Sequence, residues 1–190
     1  MMKSILLSTN AQNVLGFLIE EPGYQFLAKE IEKKTKISCA GVNFAVRNLT
    51  KAALINRERK GSIYLYSVDT NHPVIKQLKI LKTTVRLFPL IQKLKSCAKK
   101  IILFGSCSRG ENKAKSDIDL FILSDGDQAV QGIVNTYISK SKLNIQPIIK
   151  DATKFYSLEK SDPVFFEEIN RGQTLWESYE SRIRAMPQKK

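Results

Sequence analysis

Two aspartates separated by one residue, Asp117-Ile118-Asp119, stand ten residues after a Gly105-Ser106 pair. An apolar run, Ile101-Ile-Leu-Phe104, leads into that pair, and a second, Leu120-Phe-Ile-Leu123, leads away from the aspartates. Alternation along a strand places Asp117 and Asp119 on one face and turns Ile118 to the core. Two carboxylates so placed suit Mg²⁺, which commonly binds through one or two carboxylates together with substrate phosphates. A glycine turn on the preceding strand lets the backbone come close to a phosphate. Each half alone is weak, since Gly-Ser turns are common and an Asp-x-Asp is usually a solvated strand end. Their conjunction predicts a metal and nucleotide site for phosphoryl chemistry.

Gly105-Ser106, ten residues, then Asp117-Ile-Asp119 resembles the signature of the minimal nucleotidyltransferases of the DNA polymerase β superfamily, over roughly residues 96–150. The resemblance implies that Gly105 and Ser106 bind the triphosphate and that Asp117 and Asp119 are catalytic and ligate two Mg²⁺ ions. It also implies a third carboxylate from a following strand. That strand is predicted at Leu143–Lys150, and Gln146 stands where the family usually has Asp. A glutamine carbonyl can ligate a hard cation, but it is uncharged and is no base near neutral pH. Asp151 is the substitute candidate. Arg109, Lys113 and Lys115 fall in the ten-residue gap and either steady the leaving pyrophosphate or serve as solubilising charges. A helix beginning within residues 107–110 would aim its N-terminus at the phosphates.

The elements ahead of this motif have a different character. Apolar spacing predicts helices over residues 10–20, capped by Asn10, then 24–34 and 39–53, followed by a hairpin over 54–68 that turns at Gly61. Three short helices and a basic hairpin resemble a winged helix-turn-helix domain. In that arrangement the third helix enters the major groove and the hairpin touches the backbone beside it. Asn43 and Arg47 then have the chemistry to read base edges, while Lys51, Arg57, Arg59 and Lys60 suit phosphates. A protein-docking or dimerisation module of the same shape is the alternative.

Charge supports a polyanionic partner. The net charge of the 190-residue chain is +13, with 16 Lys/Arg against 6 Asp/Glu in residues 1–95 and 15 against 12 in residues 96–190. Three cysteines, Cys39, Cys97 and Cys107, show no zinc or disulfide spacing, which fits a reducing cytoplasm. Cys107 is read as a structural neighbour of the turn. A single histidine, His72, argues against multi-histidine metal sites and a Ser-His-Asp hydrolase; it is read as a turn residue. No apolar run reaches membrane-spanning length, so no membrane partner is expected.

Residues 73–95 carry Val74, Leu78, Leu81, Val85 and Phe88 in a heptad-like stripe that Pro89 should kink or stop. This stretch is a linker helix or the interface of a homodimer. The expected architecture is two-domain: an α+β winged helix at 1–72, a linker helix at 73–95, and an α/β nucleotidyltransferase domain with a small mixed sheet at 96–190. The expected function is Mg²⁺-dependent transfer of a nucleoside monophosphate from an NTP, ATP foremost, to a protein, RNA or small-molecule hydroxyl, with duplex DNA bound by the first domain. The alternative is a DNA-binding regulator or antitoxin-like protein whose second domain turns over weakly or not at all.

Overall fold

Thr9 opens the first helix. Its hydroxyl accepts from the Gln12 amide while the Gln12 side chain accepts from the Thr9 amide, which satisfies two otherwise orphaned donors. The cap is therefore Thr9 rather than Asn10. The computed structural model describes residues 9–113, 115–141 and 143–179. It places α1 at Asn10–Leu18, β1 at Phe26–Leu27, α2 at Ala28–Thr35, α3 at Cys39–Lys51, β2 at Asn56–Lys60 and β3 at Ile63–Ser67. Phe26 and Leu27, expected inside the second helix, pair antiparallel with Tyr66 and Leu65 instead. The Glu30 carboxylate accepts from the Leu27 amide and starts α2 only after the strand. α3 stops two residues before the expected end because Ala53 turns left-handed, at φ +57°, and the Ala53 and Leu54 amides return to the Thr50 and Leu49 carbonyls. Val14, Leu18, Ile31, Val42, Val46, Leu49 and Tyr66 form the core of this part of the chain.

The chain divides into two units, Met1–Val85 and Arg86–Lys190. The division falls inside one helix, α4, at Pro73–Leu94, rather than at His72-Pro73. Ile75 and Leu78 join the first core, whereas Leu87, Leu90, Ile91 and Leu94 join the second. Pro89 does not stop the helix, which continues to Leu94. Of the expected stripe, Val74, Leu81 and Phe88 are exposed and Val85 is buried. Moving the boundary also removes the charge asymmetry. Residues 1–85 hold 13 Lys/Arg against 6 Asp/Glu, net +7, and residues 86–190 hold 18 against 12, net +6.

The second unit contains β4 (Lys100–Leu103), α5 (Gly105–Ser108), β5 (Ile118–Leu123), α6 (Asp127–Ser141), β6 (Ile145–Lys150), α7 (Ala152–Ser161), α8 (Pro163–Asn170) and β7 (Gln173–Glu177). Its sheet has the order β6-β5-β4-β7, with β5 and β6 parallel and the other pairs antiparallel. The apolar runs predicted as strands are covered on both faces. Ile101, Leu103, Leu120 and Ile122 pack in the cluster of α4 and α6, while Ile102, Phe104 and Phe121 pack with Phe155, Leu158 and Ile169 of α7 and α8. The apolar pattern predicts helices over residues 128–140 and 162–170 and a short edge strand or cap at 174–176, where α6, α8 and β7 lie, but no helix where α7 stands. Residues Met186–Lys190, which the sequence suggests as a frayed tail, lie outside the described residues. Among the described residues, no helix is long and apolar enough to cross a membrane.

Candidate functional site

β4 and β5 run side by side, with Leu103 opposite Leu120, so the turn after β4 meets the start of β5. The Phe104 amide donates to the Asp119 carbonyl at 3.1 Å. Gly105 then adopts φ +67°, a conformation that favours glycine. A Cβ at this position would fall on the Asp119 carboxylate, with Asp119 Cγ 3.1 Å away. The backbone conformation favours glycine here, and a Cβ would in addition oblige the Asp119 carboxylate to shift. α5 begins at Gly105, earlier than the expected 107–110. Ser106 is half-buried, and its carbonyl accepts from the Arg109 and Glu111 amides at 3.3 and 3.0 Å. The buried Cys107 thiol donates to the Asp117 carbonyl at 3.2 Å and ties the turn to the aspartate strand.

Ile118 is buried in the α4/α6 cluster, as alternation requires, so Asp117 and Asp119 belong to the opposite face. That is the face of Phe121, toward α7 and α8. Asp117 is exposed, and its carboxylate accepts from the Asn144 amide. Asp119 is half-buried. Burial raises its pKa above the usual carboxylate range, and the charges of Asp117 and Glu168 push the same way against Arg109. A carboxylate held among like charges is one that a divalent cation would relieve. Asp117, Asp119 and the Gln146 carbonyl are oxygen donors of the kind Mg²⁺ takes. Among the described residues, no group of three or more His, Cys, Asp and Glu side chains forms a metal cluster.

Parallel register sets Gln146 directly beside Asp119, and Ile148, two residues on, packs against the α7/α8 cluster. Gln146 is exposed and shares the aspartate face. Asp151 does not share this neighbourhood. It follows Lys150, the partner of Leu123, so it lies about 16 Å along the strand from Gln146. Its carboxylate caps α7 through the Lys154 amide at 2.8 Å and pairs with Lys154 Nζ at 3.1 Å. Those bonds hold its pKa below the usual range.

Arg109 is exposed but held. Its Nε lies 3.0 Å from Glu111, and Nη1 lies 3.7 Å from Glu168. Ser108, Arg109, Pro163, Val164, Glu168 and Arg171 line a cavity of about 520 Å³. Lys113 and Lys115 are exposed. Two neighbours of the site escaped the sequence reading. Asn144 was legible in principle, because it precedes Gln146 by two and shares its face. Glu168 was not, since it comes from a helix 49 residues beyond Asp119.

In the first unit, Asn43, Arg47 and Lys51 are all exposed on α3. The hairpin cations do not form one set. Arg57 and Arg59 share one face of β2, and Lys60 lies on the other with Glu58. The Arg57 guanidinium lies over the Tyr64 ring, 4.6 Å from its centroid, and Arg59 Nε donates to the Gly61 carbonyl. Lys60 instead donates to Gln25 at 3.0 Å and faces Glu58 at 3.6 Å.

Residues 90–181 match the family model described as Polymerase beta, Nucleotidyltransferase. The second unit therefore carries a nucleotidyltransferase-like domain. The chain is also similar to a chain of the solved structure "Crystal structure of the toxin-antitoxin with AMP-PNP", at 20% identity over 51% of this chain and 75% of that one, with a TM-score of 0.37. No curated protein matches the chain.

Proposed function

We propose that the protein is a Mg²⁺-dependent nucleotidyltransferase that moves a nucleoside monophosphate from an NTP, ATP foremost, to an acceptor hydroxyl. The observation that carries this reading is the interlock of Gly105 with Asp119, which joins the phosphate-binding turn to the carboxylate pair. In this reading the turn at Gly105-Ser106 receives the triphosphate and Arg109 steadies the departing pyrophosphate. Asp117 and Asp119 hold Mg²⁺, which would neutralise phosphate charge and align an acceptor hydroxyl with the α-phosphate. The acceptor hydroxyl releases its proton to solvent as its oxygen bonds to the α-phosphorus, the bond from that phosphorus to the oxygen bridging to the β-phosphate breaks, and pyrophosphate leaves. Incubation with α-labelled ATP and Mg²⁺, with candidate protein and RNA acceptors, should yield a labelled product. The product should vanish in Asp117→Asn/Asp119→Asn.

A second reading is favoured by Gln146, which stands in register with Asp119 without a charge. It is a cytoplasmic regulator or antitoxin-like protein that binds Mg-NTP without transferring it. Mg-ATP binding by calorimetry with no labelled product across the acceptors would select this reading over the first.

For the first unit we propose a winged helix-turn-helix that binds duplex DNA, with residues 1–72 as its extent. α3 would enter the major groove, and Arg57 and Arg59 would meet the backbone. The support is an α3 with no acidic residue and an exposed Asn43, Arg47 and Lys51. Electrophoretic retention of random duplex that weakens steeply with salt tests it.

A further inference from the structure

The exposed surface of α3 is not uniformly polar. At about 100° per residue, Ala40, Phe44, Arg47 and Lys51 fall within an arc of roughly 60°, and Asn43 and Asn48 flank it by about 40° on either side. All six are exposed, while Val42, Ala45, Val46 and Leu49 turn to the core. Phe44 has 68% of its surface exposed. A large aromatic ring thus stands in water on the side of α3 that carries its two cations, framed by two amides. A face this basic is poorly matched to an apolar protein groove. It matches a polyanion that carries apolar points, and in a duplex the thymine C5-methyl is the apolar feature of the major groove.

We propose that Phe44 reads thymine. Its ring packs on the C5-methyl of a thymine facing α3, while Arg47 and the flanking amides of Asn43 and Asn48 meet neighbouring base edges. This inference rests on the DNA-binding reading of the first unit and adds the base that the helix selects. Because Phe44 is exposed and outside the core cluster, truncating it leaves the fold in place.

The test begins with full-length protein and a randomised duplex library, followed by anisotropy on the enriched duplex. Wild type should enrich thymine at one or more positions. Replacing such a thymine by deoxyuridine removes only the methyl and should weaken binding about fourfold, which corresponds to roughly 0.8 kcal/mol per buried methyl-sized group. In Phe44→Ala the thymine-to-uridine ratio should fall to about one while the salt slope stays unchanged. A Phe44→Ala protein that keeps the full thymine preference, or a wild type that enriches no thymine, would overturn the proposal and leave DNA binding standing. Absence of any salt-dependent retention of duplex would overturn both.

Discussion

Gly105→Ala separates a site built around a carboxylate from a merely tight turn. At φ +67° an alanine carries the left-handed penalty of about 1–2 kcal/mol. Gly61 gives the matched control, since its φ is +62° and a Cβ there meets nothing within 4 Å. Gly61→Ala should therefore cost the backbone penalty and no more. Gly105→Ala adds a collision with the Asp119 carboxylate, which can be relieved only by moving that carboxylate or the turn. A displacement on the order of 1 Å at a reacting centre costs roughly 10²-fold in rate.

Urea denaturation of both variants, with calorimetry of Mg-ATP binding, gives the two readouts. The expected result is wild-type Mg-ATP affinity in Gly61→Ala, whereas Gly105→Ala loses more stability and binds Mg-ATP at least tenfold more weakly. Any transfer activity should fall about 10²-fold in the second variant alone. Equal destabilisation of the two variants, with Mg-ATP affinity untouched in Gly105→Ala, would refute the interlock.

Asp119→Asn should raise the melting temperature of the metal-free protein at pH 8 but not at pH 3. Burial and its acidic neighbours raise the pKa of Asp119, so its ionised form destabilises the fold above that pKa and the cost disappears once it is protonated. Asp151→Ala should lower the melting temperature at pH 7 and leave Mg-ATP affinity unchanged. Its depressed pKa means that the cap is lost as pH falls through the folded value, so the difference from wild type should close in acid. Single Arg57→Ala and Arg59→Ala changes should each lower the salt slope of duplex binding by about 0.9. Lys60→Ala, whose ammonium is already engaged by Gln25 and Glu58, should lower it less. Gln146→Asp should tighten Mg²⁺ binding or raise turnover, since a general base contributes typically 10²–10⁴-fold. A Mg²⁺ titration of transfer that is identical in wild type and variant would remove position 146 from the site.

The strands of the second unit were legible because their information is local. Ile101–Phe104 and Leu120–Leu123 are continuous apolar runs, and a strand covered on both faces needs no other signal. The nearness of Gly105 to Asp119, and of Gln146 to Asp119 across the parallel pair, was legible for the same reason, while their roles remain proposals. What stayed hidden depends on partners distant in sequence. Phe26-Leu27 reads as helix until β3 offers an edge to pair with, and Glu168 reaches the site only because α8 packs on the aspartate face. Pro89 marks the limit of a local rule, because flanking Leu87, Leu90, Ile91 and Leu94 are buried in one core and hold the helix through it.

Charge misled in a more instructive way. A net +10 over residues 1–95 suggested one basic domain beside a balanced one, yet Arg86, Lys93 and Lys95 belong to the second unit. With units of +7 and +6, overall charge no longer singles out the first as the partner of a polyanion. Placement supports the proposed reading instead. Short-range screening, about 8–10 Å at physiological salt, makes the local arrangement of charges matter more than the sum. α3 has no acid to oppose Arg47 and Lys51, whereas Arg109 and Arg171 of the second unit each stand against a glutamate. An anion entering near Arg109 must displace Glu111 or Glu168. α3 itself carries no carboxylate for an anion to displace, so in the proposed reading the steeper salt dependence should belong to the first unit despite nearly equal charge.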